Sequence, residues 1–189
     1  MLSALRFSHE LLKETVGKGD SVVDATVGNG NDTVLLASLV EKTGTVYGFD
    51  IQQQAIDNTR QKLILTGLTP QVKLFHQGHE TISDVVEEST ELSAAIFNLG
   101  YLPKSDKSIV TKPDTTLKAF DAVLPRLRIG GKLIVVVYYG HEGGDAEKDA
   151  VLHYMKNLPQ EDYDVLQYGF INKTNAPPFL LAVEKKKQN

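Results

Sequence analysis

Two carboxylates and two glycines frame a polar turn near the start of the chain. Asp24 ends an apolar, β-branched run, and Asp32 precedes residues whose spacing suits a helix. Between them, Gly28 and Gly30 permit backbone angles that side chains forbid, and they let the main chain approach a ligand closely. A strand, a glycine-rich turn and a helix in this order are typical of a site for a nucleotide-like ligand at the carboxyl edge of a parallel sheet.

The turn favours a cationic ligand over a dinucleotide. The dinucleotide fingerprint G-x-G-x-x-G has a third glycine where this chain has Thr33. Carboxylates at both ends of the turn would repel a pyrophosphate, whereas they suit an amino group. The alternative is a turn without a ligand, in which Asp32 is only the N-cap of the helix.

The pattern D-A-T-x-G-x-G-x-D, which begins at Asp24, resembles motif I of the class I S-adenosylmethionine (SAM) methyltransferases. This resemblance implies SAM as the cofactor. It also implies that the residues of the turn hold SAM, namely Asp24, Gly28, Asn29, Gly30, Asn31 and Asp32.

A further carboxylate, Asp50, ends the next apolar run. An acid at the end of a second strand can accept hydrogen bonds from both hydroxyls of a ribose. Gln52 is close enough in sequence to reach the same sugar or its adenine. SAM and NAD both contain ribose, so Asp50 indicates a nucleoside ligand without choosing between them. Its alternative role is to cap the following helix.

The turn Gln77-Gly78-His79-Glu80 follows the third predicted strand. In class I methyltransferases the corresponding turn lies against the adenine, which implies cofactor contacts from Gly78 and His79. The imidazole would stack on the base or form a hydrogen bond with it. A surface histidine without a ligand is the simpler alternative. The histidines here do not make a set of metal ligands, so we predict no metal site.

The run from Ile96 to Tyr101 ends the fourth predicted strand. It is similar to the N-P-P-Y motif of amino-group methyltransferases, with Leu-Gly in place of the prolines. In that motif an amide oxygen and a main-chain carbonyl accept hydrogen bonds from the amine, and the aromatic ring packs on the target. The similarity implies catalytic roles for Asn98 and Tyr101, cofactor contact from Asn98 and substrate contact from Tyr101. The alternative is a turn with a core tyrosine.

The glycine-rich segment that begins at Tyr138 follows the fifth predicted strand at the same edge of the sheet. Here Tyr138 and Tyr139 could flank a planar base, and Tyr139 is predicted to contact the substrate. His141 would bind the substrate and take or relay a proton. The composition also fits an ordinary loop.

Composition indicates an ordinary globular protein. The 189 residues predict one domain, residues 1–189, with a substantial core. The absence of cysteine excludes disulfides, thiolate metal sites and a cysteine nucleophile, and it fits a cytoplasmic location. No apolar run approaches the ~18 residues that a membrane span needs, and the start of the chain lacks the pattern of a signal peptide.

Charge is unevenly distributed. The net charge of −4 gives no broadly basic surface. Residues 102–135, however, contain seven Lys and Arg against three Asp, and they include Lys104 close to the N-P-P-Y-like motif. We predict that Lys104 contacts the substrate and that this stretch binds phosphates. The alternative is a set of solvated helix faces.

Apolar runs and helical patterns alternate along the chain, and they predict an α/β fold with a Rossmann-like, seven-stranded, mostly parallel sheet and helices on both faces. The fifth strand is predicted to begin at Lys132 after Gly130-Gly131, and the sixth to cover residues 163–172. The loop 173–178 has no room for a helix, so the last two strands form an antiparallel hairpin. This is the layout of the class I methyltransferase fold.

Together these motifs resemble one small family over nearly the whole chain, namely bacterial proteins described as rRNA methylases. Members of that family are tRNA methyltransferases that act on the wobble uridine. The resemblance implies N-methylation of the 5-aminomethyl group of 5-aminomethyl-2-thiouridine, with the anticodon loop of tRNA as partner.

Other functions stay open. The chain could methylate rRNA or a small-molecule amine, since no appended RNA-binding domain is evident. It could also be an NAD(P)-dependent oxidoreductase, or a non-catalytic RNA-binding module with the same fold. A homodimer formed through the flat terminal hairpin is a further possibility.

Overall fold

A seven-stranded sheet forms the centre of the computed structural model, which describes residues 1–101 and 108–187. Its strands are β1 (Ser21–Asp24), β2 (Thr45–Phe49), β3 (Val72–Phe75), β4 (Leu92–Leu99), β5 (Leu127–Val137), β6 (Tyr163–Tyr168) and β7 (Phe179–Lys185). They are arranged in the order β3-β2-β1-β4-β5-β7-β6. The first five run parallel, and β7 is antiparallel to both β5 and β6. The predicted fold class and its terminal hairpin are confirmed.

Helices cover both faces of the sheet. They are α1 (Ala4–Thr15), α2 (Asn31–Val40), α3 (Gln53–Thr66), α4 (Ile82–Val85), α5 (Pro113–Val123) and α6 (Gly144–Lys156). α1, α2 and α3 pack on one face, and α4, α5 and α6 pack on the other. Within the described part of the chain, no helix is both long and apolar enough to cross a membrane.

The sheet separates two apolar cores. Leu12, Leu36 and Leu63 are buried under α1, α2 and α3, whereas Phe97 and Phe120 are buried on the opposite face. The central strand β4 is buried along nearly its whole length, which is why its sequence is a continuous apolar run without alternation.

The fifth strand begins earlier than the sequence predicted, at Leu127 instead of Lys132. Leu127 pairs with Leu92, and the register then shifts before the rest of β5 pairs with β4. A Cβ atom on Gly131 would lie 3.1 Å from the main-chain oxygen of Leu92. Gly131 therefore serves a close approach inside the strand, whereas Gly130 has open space around it and a φ angle of 76°. The predicted start of the fifth strand at Lys132 is wrong. β6 also ends earlier than predicted, at Tyr168.

The parallel strands bring the predicted polar residues to one edge. β1 lies between β2 and β4, so the carboxyl ends of these strands are neighbours. The chain leaves β1 toward one side of the sheet and reaches β4 on the other. Ligands of open α/β sheets bind at such a switch point, and Asp24, Asp50 and Asn98 lie there.

Candidate active site

The glycine-rich turn between β1 and α2 forms the first wall of the site. Gly28 and Gly30 have φ angles of 53° and 80°, a left-handed conformation that residues with side chains rarely adopt. A Cβ atom on Gly30 would also lie 2.5 Å from Thr59 Oγ1. The turn therefore requires its glycines, and α2 begins directly after it with free N–H groups.

Asp50 connects this turn to the end of β2. Its Oδ2 accepts a hydrogen bond from the main-chain N–H of Gly28 (2.8 Å), and its Oδ1 accepts one from the main-chain N–H of Gln52 (2.9 Å). A carboxylate offers about four lone-pair positions, so room remains for ribose hydroxyls. Ile51 is 56% exposed beside it and offers an apolar surface to an adenine. Sequence reasoning missed Ile51, although an apolar residue directly after Asp50 was a usable signal.

Asp24 lies beneath the turn and is fully buried. It accepts hydrogen bonds from the hydroxyl of Thr33 (2.6 Å) and from the main-chain N–H of Thr26 (3.2 Å). Burial, followed by the nearby Asp32 carboxylate, raises the pKa of Asp24 to about 7. Thr33, which interrupts the dinucleotide fingerprint, is thus the donor that a buried Asp24 needs. Both oxygens of Asp24 thus have donors within the turn and α2, and the cofactor contact expected from Asp24 stays a prediction.

The raised pKa of Asp24 predicts a pH-dependent stability. Between the unfolded value of 3.8 and about 7, the folded protein keeps a proton that the unfolded chain has lost. The free energy of unfolding therefore falls as the pH rises through this window. Asp24→Asn can keep both hydrogen bonds and removes the titration. We therefore compare the melting temperature of this variant with that of the wild type, and we expect the difference to grow in favour of the variant by roughly 10 °C between pH 4 and pH 8. Thermal melts at both pH values test this, and a constant difference would contradict it.

Asp32, in the first turn of α2, joins three elements. Its Oδ1 lies 2.7 Å from His9 Nε2 on α1, and its Oδ2 accepts a hydrogen bond from Asn98 Nδ2 at 2.6 Å. Because a carboxylate only accepts, the amide nitrogen of Asn98 faces Asp32 and the amide oxygen faces away. Burial raises the pKa of Tyr138, and Asp32 adds to that effect. Sequence reasoning missed His9, which lies in a helix without a motif.

Lys62 on α3 holds the outer side of the glycine-rich turn. Its Nζ donates to the main-chain oxygen of Asn29 (2.6 Å) and to Oδ1 of Asn31 (2.9 Å). These two oxygens therefore face α3. The cofactor contacts expected from Asn29 and Asn31 stay predictions, and they would use the remaining groups of both residues. Nothing in the sequence indicated Lys62, because it lies within an ordinary helix.

His79, which follows Gly78 after β3, is 6% exposed. Its Nδ1 lies 3.1 Å from the main-chain oxygen of Ala25, and its Nε2 lies 3.5 Å from Thr116 Oγ1. The ring packs against Phe97, and burial lowers the pKa of His79. The alternative of a surface histidine is wrong. Both ring nitrogens thus face protein atoms, and the imidazole supports the end of β1. The contact with adenine expected from His79 stays a prediction.

A buried carboxylate, Glu147 in α6, extends this polar chain to the loop after β4. It accepts hydrogen bonds from the hydroxyls of Thr116 (2.8 Å) and Thr111 (2.7 Å). Thr111 Oγ1 in turn accepts the main-chain N–H of Gly100 at 2.9 Å. The cofactor side and the acceptor loop are thus connected through the core. Sequence reasoning missed Glu147, because an acid in a charged helix predicts an exposed position.

The loop after β4 differs from N-P-P-Y for a geometric reason. Gly100 has a φ angle of 145°, which proline cannot adopt. The main-chain oxygen of Leu99 accepts the N–H of Tyr138 (2.9 Å), so the main-chain acceptor of the motif is already engaged. The main-chain N–H of Asn98 donates to Thr26 Oγ1 (2.7 Å). Asn98 is thus held at both its main chain and its amide nitrogen, and its amide oxygen is the acceptor directed to the site.

Tyr101 and His141 face each other across the acceptor side. Their ring centroids are 5.6 Å apart at 85°. His141 Nε2 is buried and has no hydrogen-bond partner among the described residues, an arrangement that a ligand would satisfy. Tyr139 packs on Phe179, with Lys148 Nζ 4.9 Å from its ring centroid, and its contact with a base of the substrate stays a prediction. Lys104 lies outside the described residues.

Two arginines of the basic stretch 102–135, Arg126 and Arg128, have partners within the protein. Arg128 binds Asp20 and the main-chain oxygen of Thr15. Arg126 donates to main-chain oxygens that include that of Val86. Both arginines lie at the amino edge of the sheet, opposite the site. These two arginines are therefore not available to a phosphate-binding surface at the site, and phosphate binding by the other basic residues of the stretch stays a prediction.

Two solved structures share this fold over nearly the whole chain. One is described as a "putative rRNA-methylase" from Clostridium thermocellum, with a TM-score of 0.95, 44% identity and coverage of 98% of both chains. The other is a "putative methyltransferase" from Streptococcus mutans in complex with SAH, with a TM-score of 0.89, 45% identity and coverage of 98% of this chain and 99% of that chain. Fold and site together define a SAM-dependent methyltransferase.

A more specific assignment follows from sequence comparison. The family model described as "Putative rRNA methylase" matches residues 46–184, and the chain belongs to this family. A relative from Arabidopsis thaliana, "tRNA (mnm(5)s(2)U34)-methyltransferase, chloroplastic", is 36% identical over 191 residues, 97% of this chain and 70% of the relative. The predicted family and the predicted cofactor SAM are confirmed, and the oxidoreductase alternative is wrong.

Proposed function

We propose that this protein N-methylates the 5-aminomethyl group of 5-aminomethyl-2-thiouridine at the wobble position of tRNA, giving 5-methylaminomethyl-2-thiouridine. The observation that carries the proposal is the orientation of Asn98, whose amide nitrogen is held by Asp32. Its oxygen is thereby presented to an N–H donor such as an amine. The Arabidopsis relative, whose name includes mnm(5)s(2)U34, supports this choice of acceptor.

The cofactor side fits SAM chemically. SAM supplies the methyl group from its sulfonium. Asp50, fixed by two main-chain N–H groups, would hold the ribose. Ile51 would cover one face of the adenine. The carboxylate of Asp32, close to the fully buried Asp24, provides negative charge that suits the amino group of the ligand.

The acceptor side would position an amine and remove one proton. The lone pair of the amine forms the new C–N bond, so the amine must be neutral when it attacks. Asn98 Oδ1 would accept one amine hydrogen and direct the lone pair toward the methyl group. Tyr101 would pack against the target base. The buried Nε2 of His141, which has no hydrogen-bond partner in the described part of the chain, is the group that we assign to accept the released proton.

The assay for this function is methyl transfer from labelled SAM into tRNA that lacks the wobble methylation, followed by mass analysis of the nucleosides. We expect label in 5-methylaminomethyl-2-thiouridine and none in rRNA offered in parallel. Label in rRNA or only in a small amine would contradict the proposed acceptor while leaving the methyltransferase class intact. RNA binding without any transfer would instead indicate a non-catalytic module.

Three further features belong to this proposal. We propose that residues 1–189 act as one domain, because the cofactor and acceptor residues share one sheet edge.

We place the enzyme in the cytoplasm, in keeping with its lack of cysteine. A homodimer stays a prediction, to be tested by light scattering.

A further inference from the structure

We propose that an acid-free surface beside the active site binds the single-stranded nucleotides that flank the target base, an inference that rests on the proposed function. We define this acid-free surface as residues 1–9, which lead into α1, and residues 165–178, from β6 to the start of β7. Neither segment contains Asp or Glu, although the chain has 24 acidic residues and a net charge of −4. A polyanion can therefore approach this surface without the electrostatic repulsion that the acidic parts of the chain would cause.

The two segments form one continuous surface. The rings of Phe7 and Tyr168 pack with centroids 4.4 Å apart. The hydroxyl of Tyr168 donates to the main-chain oxygen of Leu2 at 2.8 Å, and Phe170 lies against the other edge of Tyr168. Three half-buried aromatic rings thus lie side by side, and they connect the start of α1 to the loop after β6.

The side chains of this surface suit single-stranded RNA. Lys173 Nζ lies 4.0 Å from the ring centroid of Phe170, and Ile171 is fully exposed. Arg6 is exposed on α1. Aromatic rings on which bases stack, together with cations that contact phosphates, are the features with which proteins bind unpaired nucleotides.

The acid-free surface borders the acceptor site on two sides. His9, its last residue on α1, bonds Asp32. In the loop after β6, Asn175 and Ala176 have φ angles of 63° and 49°, an uncommon conformation for residues with a Cβ. Ala176 packs beside Gly140, where an added Cβ would lie 3.5 Å from the Ala176 Cβ. A nucleotide bound here would be next to the base presented to Asn98.

The charge of the acid-free surface favours RNA, and not a second copy of the chain, as the partner that binds there. The exposed apolar side chains Leu2, Leu5 and Ile171 would also suit a protein partner. In a two-fold dimer, however, the same surface meets itself, so Arg6 and Lys173 of both copies would be brought together, and no acid within the acid-free surface would neutralise them. A polyanion avoids this repulsion.

The experiment measures binding of a fluorescent, unmodified anticodon stem-loop RNA by anisotropy. Lys173→Glu and Phe170→Ala should each weaken binding about tenfold, through a lost phosphate contact and a lost stacking platform. The matched control is Lys42→Glu, an identical charge change at an exposed residue at the amino edge of the sheet. Its affinity should stay within about twofold of the wild type, and SAM affinity should be unchanged in all variants.

If Lys173→Glu and Phe170→Ala both bind RNA as tightly as the wild type, the inference is overturned. It is also overturned if Lys42→Glu loses as much RNA affinity as Lys173→Glu, because that result would indicate a general effect of charge. A wild-type dimer that either variant dissociates would show that the surface joins two copies, which also overturns it. The methyl-transfer assay is read separately. If the wild type methylates wobble uridine but these variants bind RNA normally, the proposed function stands and only the RNA-binding role of the acid-free surface is refuted.

Discussion

Asp50→Ala is expected to weaken SAM binding by at least about 100-fold, because hydrogen bonds to a charged group contribute roughly 1.5–3 kcal/mol each and two ribose hydroxyls would lose their acceptor. The same carboxylate holds the main-chain N–H groups of Gly28 and Gln52. Its loss therefore also releases the glycine-rich turn, which adds to the effect. Calorimetric titration with SAM gives the affinity directly.

The control for this variant is Asp84→Ala, which removes an exposed carboxylate on α4. SAM affinity should not change in that protein. Far-ultraviolet circular dichroism and a thermal melt show whether Asp50→Ala stays folded. A folded Asp50→Ala protein that binds SAM as tightly as the wild type would refute the assignment of the ribose to Asp50.

The sequence was a good guide to the sheet, because tertiary packing agrees with local pattern there. The β-branched runs that end at Asp24 and Phe49 are strands. The loop that connects β6 to β7 is too short for a helix, so these two strands can only form an antiparallel hairpin. The start of β5 could not be predicted. Gly131 looks like a turn residue in sequence, whereas it is needed because the main chain of β4 approaches it closely.

The candidate active site likewise contains residues that could be predicted from the sequence and residues that could not. Residues at strand ends were predictable, because parallel strands place their carboxyl ends at one edge. His9, Lys62 and Glu147 were not, since each contacts the site from a helix that is distant in sequence. The burial of His79 and its contact with the main chain of β1 could not be predicted from the sequence either. Sequence patterns identify such residues only when their partners are also known.

Asn98→Ala is expected to lower kcat for methyl transfer by about 100- to 1,000-fold, the usual cost of removing a preorganised group that positions the reacting atoms. The main chain should stay in place, because the N–H of residue 98 still donates to Thr26 Oγ1. Asp32 also keeps its contact with His9. Single-turnover rates at saturating SAM and RNA measure the chemical step without the binding steps.

The same variant separates the two roles that the sequence predicts for Asn98. If the amide mainly orients the amine, kcat falls while the SAM affinity of Asn98→Ala stays within about threefold of the wild type. If the amide mainly holds SAM, the affinity falls and kcat at saturation recovers. Asn157→Ala, at the end of α6 and far from the site, is the matched control and should change neither quantity. Because Asp32 holds the amide nitrogen and leaves the oxygen for the amine, we expect the first result.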